Sequence, residues 1–272
     1  MGYTNQWKEI LDKVMDFSDK RNVSWFRGHS SSEYKLLSGL YRQESLTNTE
    51  KLKREAAMYH MFSTIGSLDV SMYQGYELLY LMQHHGVKTR LLDWTESFNT
   101  ALFFAFVHWN PYNDNPARIW MLDPCQLNVV SIGENLLKLP QYMPNPYLNF
   151  TDTNIENGTV LPYQSTIALY PTRNNKRIIA QQGVFTMQGA SDLPIEEEFK
   201  DTLIKDGDLC YIDLDIDVYD DVHNFLLASG VTYHTLFPDL DGLAKYTNDP
   251  YLSKPDVFKE KFEPVNVKVG TP

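Results

Sequence analysis

The clearest pattern of hydrophobic and polar residues in this chain lies between residues 83 and 107. A short run with the composition of a strand, residues 89–94, is followed by an uncharged apolar block at residues 101–107. Because a helix that crosses a membrane needs about 20 apolar residues, this block predicts a helix buried in a protein core. The hydroxyl of Thr95 or Ser97 can accept hydrogen bonds from the first turn of that helix and so cap it.

The rest of the chain mixes helical and strand patterns without regular βα units. Apolar residues from Trp7 to Met15 recur at helical spacing, which predicts an amphipathic helix over residues 4–18. Further helices are predicted over about 50–65, about 74–84 and 222–229, with a helical turn after 236–243. Thr49 is the predicted cap of the helix over 50–65, Asp221 is the predicted cap of the helix over 222–229, and Gly230 is predicted to end it. Strands are predicted over 23–26, 118–122, 177–180, 184–187, 209–216 and at the valines Val265, Val267 and Val269. This mixture predicts an α+β fold in a single domain.

The chain divides into three predicted parts. Residues 1–22 form an N-terminal helix, residues 23–250 form the main domain, and residues 251–272 form a C-terminal extension. Residues 133–164 are rich in Asn, Pro and Tyr and show no regular period. That composition predicts an irregular insertion or lid within the main domain.

Composition narrows the classes of function. A hydrophobic content of 43% argues against disorder, and a formal net charge of -11 repels nucleic acid at long range. A nucleic-acid substrate would therefore have to be met by a local basic pocket. Residues 1–14 contain four charged side chains and no apolar core, so no signal peptide or membrane association is expected, and the expected location is the cytoplasm.

Two kinds of reactive site have little support in the sequence. His84, His85 and Asp93 could ligate a metal, but adjacent histidines on a helix point in different directions and no HExxH pattern is present. A histidine-activated nucleophile is equally poorly supported, because there is no GxSxG and neither Cys125 nor Cys210 has a neighbouring histidine. No metal site is therefore predicted.

A pocket for an anion is the third interpretation. Arg27 and Arg90 both lie near predicted strands, and the arginine fork binds two phosphate oxygens at once. Thr89, Thr95 and Gln182 can add hydrogen bonds. Four aromatic residues could stack on a nucleotide base or could equally belong to the core: Trp25, Tyr34, Trp94 and Phe98.

Several segments in order resemble the FRG domain family. They are residues 25–29 (WFRGH), residues 83–95 (QHHGVKTRLLDWT) with 101–105 (ALFFA), residues 182–185 (QGVF) and residues 237–242 (FPDLDG). The resemblance extends over roughly residues 20–245, and the TRLLDWT segment is its most specific part.

A more distant resemblance is to the arginine-type ADP-ribosyltransferases. Arg27-Gly28 is similar to the arginine and glycine of their first strand, and residues 89–95 leading into 101–106 are similar in layout to their second motif. Their third motif, Glu-x-Glu, is absent, because Asn175 and Arg177 stand at roughly those positions. Glu33, Glu55, Asp93 and Gln182 are the alternatives for the missing catalytic group.

This resemblance implies a central split sheet, mixed or antiparallel, surrounded by helices. It implies an enzyme that uses NAD as its substrate and transfers ADP-ribose to a macromolecular acceptor, either protein or nucleic acid, as toxins with an antitoxin or regulatory partner and antiviral defence effectors do. The implied catalytic residues are Arg27, Thr89, Asp93 and Gln182, and the implied NAD-binding residues are Arg27, Gly28, His85, Arg90, Trp94 and Thr95. The alternative is a non-catalytic ligand-sensing or protein-binding module, in which Arg90 and Asp93 form a buried ion pair.

Overall fold

A computed structural model describes residues 2–70, 72–112, 115–143, 145, 163–173 and 175–248. The described strands are β1 (Trp25–His29), β2 (Leu91–Thr95), β3 (Ala117–Leu122), β4 (Ile167–Leu169), β5 (Gly183–Met187) and β6 (Leu209–Leu214). The described helices are α1 (Asn5–Asp19), α2 (Asn48–Ile65), α3 (Ser67–Val70), α4 (Gly75–His84), α5 (Phe98–Phe106), α6 (Pro124–Ile132), α7 (Lys176–Ala180), α8 (Ile195–Glu198), α9 (Thr202–Lys205), α10 (Tyr219–Ser229), α11 (Tyr233–Leu236) and α12 (Leu240–Asn248). The fold is thus a mixture of α and β elements.

The six strands form one sheet in the order β4-β5-β2-β1-β3-β6, and all of their registered pairs are antiparallel. β1 pairs with β3 along its whole length, and β2 does the same with β5. Between β1 and β2, however, only Phe26 and Thr95 are in register. The two central strands therefore separate beyond this pair, and the sheet opens between two three-stranded halves.

Alternate residues of the strands contribute to different parts of the core. Phe26 packs with α1, α5 and α10 in one cluster, while its neighbour Trp25 packs on the other face with Trp94 and Trp120. A third cluster lies over the β4-β5-β2 half and includes the apolar sides of α2 and α4. Because adjacent strand residues point to opposite faces, helices and short segments cover both faces of the sheet.

Local capping explains where the main helices begin. Thr4 accepts a hydrogen bond from Trp7 N at the start of α1, and Ser97 accepts from Thr100 N at the start of α5. α2 begins with a capping box, in which Thr47 and Glu50 bond to each other's main chain. Of the two caps predicted for the central helix, Ser97 is confirmed, and Thr47 rather than Thr49 caps α2.

Most predicted elements are present with shifted ends. The α+β class and the antiparallel sheet with surrounding helices are confirmed, as are the buried central helix and the end of α10 at Gly230, which has a left-handed φ of 67°. The ADP-ribosyltransferase-like topology and the division into three parts stay predictions. The predicted strand at Val265, Val267 and Val269 and most of the predicted insertion at 133–164 lie outside the described residues.

Three predictions about individual elements are wrong. The predicted strand over 177–180 is the helix α7, capped by the side chain of Asn175. The predicted strand over 23–26 continues to His29, so that Arg27 lies within β1 rather than after it. Asp221 does not cap α10, which begins at Tyr219; its carboxylate instead accepts a hydrogen bond from Thr4 N at 3.1 Å.

Candidate functional site

A cleft of about 730 Å³ lies where β1 and β2 separate. Its walls come from β1, β2 and β5, from the C-terminal end of α4, from α5 and α7, and from the loop between β1 and α2. Its lining residues with charged or aromatic side chains are Phe26, Arg27, His29, Glu33, Tyr34, Lys35, Arg42, Glu44, Tyr80, His84, Asp93, Trp94, Phe104, Arg177, Phe185 and Phe237. The cleft therefore combines a polar loop side with an aromatic side.

Arg27 projects from β1 into this cleft and is held by two neutral acceptors. Its Nε donates to Nε2 of His29 at 3.0 Å, and its Nη1 donates to the main-chain oxygen of Asp93 across the gap to β2. Within the described part of the chain, no carboxylate forms an ion pair with Arg27. Burial lowers the pKa of Arg27 to about 10, with Asp93 opposing and Arg42 adding to that effect. The guanidinium is still charged at neutral pH.

His29 is the residue that orients Arg27. It is buried, and its Nδ1 lies 3.1 Å from the main-chain oxygen of Tyr34. Because Nε2 accepts from Arg27, the ring proton is assigned to Nδ1, which donates to Tyr34. Burial and then the charges of Arg27 and Arg42 lower the pKa of His29 to about 3. The imidazole is therefore neutral and acts as an acceptor for Arg27.

Asp93 lies on β2, and its exposed side chain lines the cleft. Its Oδ1 accepts a hydrogen bond of 2.7 Å from Nε2 of Gln83, at the end of α4. The oxygen of the same Gln83 amide accepts from the hydroxyl of Thr89. Asp93 thus contributes a carboxylate to the cleft and, through its main chain, an acceptor for Arg27.

Thr89 and Arg90 are not placed as the sequence predicted. Both are buried, with 1% and 0% of their surface exposed, and neither lines the cleft. Nε of Arg90 lies 3.1 Å from Oε2 of Glu55 on α2, and Arg90 N donates to Oε1 of the same carboxylate at 2.8 Å. The interpretation of Arg90 and Asp93 as a buried ion pair is therefore wrong, and Arg90 stabilises the packing of α2 against β2.

Gly28 lines the cleft, but its missing side chain is explained by helix packing. A Cβ at this position would lie 1.9 Å from the main-chain oxygen of Ala101 and 2.6 Å from Ala105 N. No side chain can stand between β1 and α5 at this separation. Gly28 therefore allows the main chain of α5 to pack closely against β1.

The remaining predicted residues divide between the cleft and the surface. Trp94 and Thr95 line the cleft; the indole of Trp94 donates to Thr186, and the Thr95 hydroxyl donates to the main-chain oxygen of Gln181 at 2.6 Å. His85 and Gln182 are exposed and do not line it. The residues next to them in the sequence, His84 and Gln181, line the cleft.

The structure narrows the alternatives for a catalytic carboxylate. Glu33 and Asp93 line the cleft, whereas Glu55 is fully buried against Arg90. The two positions aligned with the Glu-x-Glu motif have structural roles. Asn175 caps α7, and Arg177 binds Asp239 through Nε and Nη2 at 2.8 and 2.6 Å.

Several cleft residues were not identified from sequence. The rings of Tyr80 and Phe185 stack with centroids 4.7 Å apart and planes 11° from parallel. Arg42 reaches the cleft from the loop after β1, and Gln83 reaches it from the last turn of α4. The QHHG segment pointed to the end of α4, but nothing in the sequence distinguished Gln83 from the two histidines that follow it.

The described residues contain no group of three or more His, Cys, Asp or Glu side chains arranged to hold a metal ion. Among the helices that the structure describes, none has both the length and the apolar character needed to cross a membrane.

Comparison with known proteins matches a segment of the chain to a family model. The family model of the FRG domain matches residues 22–114, whereas searches of curated proteins and of solved structures find no match. The matched range includes β1 and β2, while the four other strands lie beyond it. The FRG domain model therefore matches the segment that supplies both strands at the opening of the sheet.

Proposed function

We propose that the cleft binds NAD and that the protein transfers ADP-ribose from NAD to a macromolecular acceptor. The observation that carries this proposal is the state of Arg27. It is a half-buried guanidinium in a cleft, fixed by His29 and the main chain of Asp93 and without a carboxylate partner in the described part of the chain.

A charge held in this way favours an anionic ligand. Moving a cation out of water costs free energy, and an ion pair normally offsets that cost. Arg27 has neutral acceptors instead, so its charge is available to a phosphate, and Arg42 adds a second positive charge nearby. The planar arginine fork suits the diphosphate of a dinucleotide, because it binds two oxygens at once.

The aromatic side of the cleft supports a ligand that also carries flat rings. Tyr80 and Phe185 form a stacked pair there, and Phe104 and Phe237 line the same cleft. Aromatic side chains bind planar rings by stacking and by excluding water. A ligand with a charged centre and aromatic rings at its ends fits a cleft that has both a charged arginine and aromatic side chains.

Asp93 is the carboxylate proposed to act in the reaction. When the bond between nicotinamide and ribose breaks, nicotinamide leaves as a neutral base with the bonding electrons, and positive charge develops on the ribose. A fixed carboxylate close to that charge lowers the barrier. A nucleophilic atom of the acceptor then bonds to the ribose carbon and releases its proton.

The proposal is tested by incubating the purified full-length protein with labelled NAD, alone and with protein or RNA acceptors. Nicotinamide release and label transfer are measured together with NAD binding by calorimetry. Arg27→Ala is compared with Arg54→Ala, which removes an exposed arginine of α2 outside the cleft. We expect Arg27→Ala to weaken NAD binding by roughly tenfold or more, with Arg54→Ala unchanged. No NAD binding by the wild type would overturn the proposal.

A non-catalytic binding module is the second candidate function. It is favoured by the two positions at which the resemblance places the catalytic glutamates, because Asn175 and Arg177 stand there and neither carries a carboxylate. NAD binding without nicotinamide release or label transfer would support this module.

A toxin or defence role is proposed from the resemblance, and is tested by whether expression of the wild type, but not of Arg27→Ala, arrests bacterial growth.

A further inference from the structure

We infer that Gln83 is a positioning residue that holds the Asp93 carboxylate in one orientation in the cleft, and that Thr89 fixes the orientation of the Gln83 amide. The consequence for catalysis rests on the proposed function. The inference follows from a chain of hydrogen bonds that runs from the buried start of β2 to the cleft.

The first link fixes the direction of the Thr89 hydroxyl. Its oxygen accepts a hydrogen bond of 3.2 Å from Leu91 N, and its proton is donated to Oε1 of Gln83. Thr89 is 1% exposed, so water does not compete for this hydroxyl. A hydrogen bond in such a low-dielectric position is strong and directional.

The second link fixes the Gln83 amide. Because Oε1 faces the Thr89 hydroxyl, Nε2 faces Asp93, to which it donates at 2.7 Å. An ionised carboxylate accepts hydrogen bonds only, so the reverse orientation of the amide would place two acceptors in contact. Thr89 and Asp93 therefore select the same orientation of Gln83.

The main chain around Gln83 is also fixed. α4 ends at this point with hydrogen bonds from Gly86 N to the Gln83 oxygen at 2.9 Å and from Val87 N to the Met82 oxygen at 3.0 Å. Gly86 has a left-handed φ of 84°, which allows this sharp end. The amide is thus attached to a rigid helix terminus rather than to a loose loop.

Asp93 is consequently held from two sides. Its main-chain oxygen accepts from Arg27, and its Oδ1 accepts from Gln83. No hydrogen bond to Oδ2 is found among the described residues, so this oxygen is available to a ligand. The chain from Thr89 to Asp93 thereby sets the position of the carboxylate relative to the Arg27 guanidinium.

The same hydrogen bonds could serve only to attach α4 to β2. Variants of Gln83 and Thr89 distinguish this structural role from the positioning of the Asp93 carboxylate. Gln83→Met keeps the length of the side chain and removes the amide, while Thr89→Val removes the hydroxyl and Thr89→Ser retains it. Gln43→Met is the matched control, because the Gln43 amide bonds to the main-chain oxygen of Leu40 and lies outside the cleft.

The first measurement does not depend on activity. In amide-proton NMR spectra, we expect the side-chain resonances of Gln83 to move in Asp93→Asn and in Thr89→Val, and to stay in place in Thr89→Ser and Gln43→Met. Gln83 resonances that are unchanged in Asp93→Asn would overturn the inference. This result is independent of whether NAD is the ligand.

The second measurement separates turnover from binding. We expect Gln83→Met to lower kcat by about 10- to 100-fold, because small displacements of a reacting group are costly, with the Kd for NAD changed by less than about threefold. In an Asp93→Asn background, Gln83→Met should have no further effect on kcat. A full additional loss in that background would overturn the inference. Absence of turnover in the wild type would instead overturn the proposed enzymatic function and leave the NMR result to decide the position of Gln83.

Discussion

Nε of Arg27 donates a hydrogen bond of 3.0 Å to Nε2 of His29, two residues along the same strand. The side chains of residues i and i+2 lie on one face of a strand, so β1 itself supplies both the cleft cation and the group that orients it. This pairing requires an unprotonated imidazole. A proton on Nε2 would remove the acceptor and place a second positive charge beside Arg27.

The first prediction concerns this histidine and pH. The pKa of His29 falls from its ordinary value of 6.5 to about 3 in the folded protein. Between these values the unfolded chain binds a proton that the folded protein does not, so the free energy of unfolding decreases as pH falls. His29 should account for a loss of about 2 kcal/mol between about pH 7 and about pH 5.

Urea unfolding at these two pH values checks this prediction. His29→Gln keeps an acceptor for Arg27 but cannot titrate, so its stability should fall less with decreasing pH than that of the wild type. His60→Gln, on the exposed side of α2, is the control and should retain the wild-type dependence. Equal pH dependence of the wild type and His29→Gln would contradict the prediction.

The second prediction compares two carboxylates. Glu55 is fully buried and pairs with Arg90, whereas Asp93 is exposed in the cleft. Removing one charge of a buried ion pair costs about 3–5 kcal/mol, so Glu55→Gln should destabilise the protein by that amount. Asp93→Asn should cost less than about 1 kcal/mol. Chemical unfolding measures both, and a large loss of stability in Asp93→Asn would show that its role is structural.

The sequence predicted the elements whose patterns are long or chemically distinct. The uncharged block that became α5, the amphipathic spacing of α1 and the glycine at the end of α10 each have a local physical cause. The position of Arg27 in a cleft also followed from the resemblance of residues 25–29 and 83–95 to one family. These features depend on short stretches of chain.

What could not be predicted depends on contacts between distant residues. Glu55 replaces Asp93 as the partner of Arg90 because α2 packs over the start of β2, and nothing in the sequence of α2 indicates that contact. Ile178 and Ile179 are β-branched, as is typical of strands, and a helix of five residues is too short to show a period, so the sequence of α7 does not distinguish a helix from a strand. The cap at Asn175 was the only local indication.

The third prediction tests why residue 28 is glycine. A Cβ on Gly28 would lie 1.9 Å from the main-chain oxygen of Ala101, and main-chain atoms of a buried helix cannot move aside cheaply. Gly28→Ala should therefore destabilise the protein by about 3 kcal/mol. Gly39→Ala is the control, because its nearest neighbour would be at 3.8 Å, an ordinary contact distance. Thermal unfolding of both variants checks this, and equal melting temperatures would contradict the account of β1 and α5 packing.

The last prediction concerns the wall of the cleft formed by Arg177 and Phe237. Oδ2 of Asp239 accepts two hydrogen bonds from Arg177, and its Oδ1 accepts one of 2.8 Å from Gly242 N near the start of α12. The Gly242 bond and then Arg177 hold the pKa of Asp239 below its ordinary value of 3.8. The carboxylate is therefore charged at neutral pH and neutralises an arginine that lines the cleft.

Asp239→Asn should retain the bond to Gly242, since asparagine accepts from main-chain N–H groups as aspartate does, but it removes the negative charge. Arg177 then contributes its charge to the cleft, and pyrophosphate should bind roughly two- to fivefold more tightly, with a steeper dependence on salt. Calorimetry at two salt concentrations measures this, and circular dichroism checks that helix content is kept. In the double variant with Arg177→Gln the gain should disappear. Weaker pyrophosphate binding by Asp239→Asn, with helix content unchanged, would show that the Arg177–Asp239 pair builds the anion site rather than competing with it.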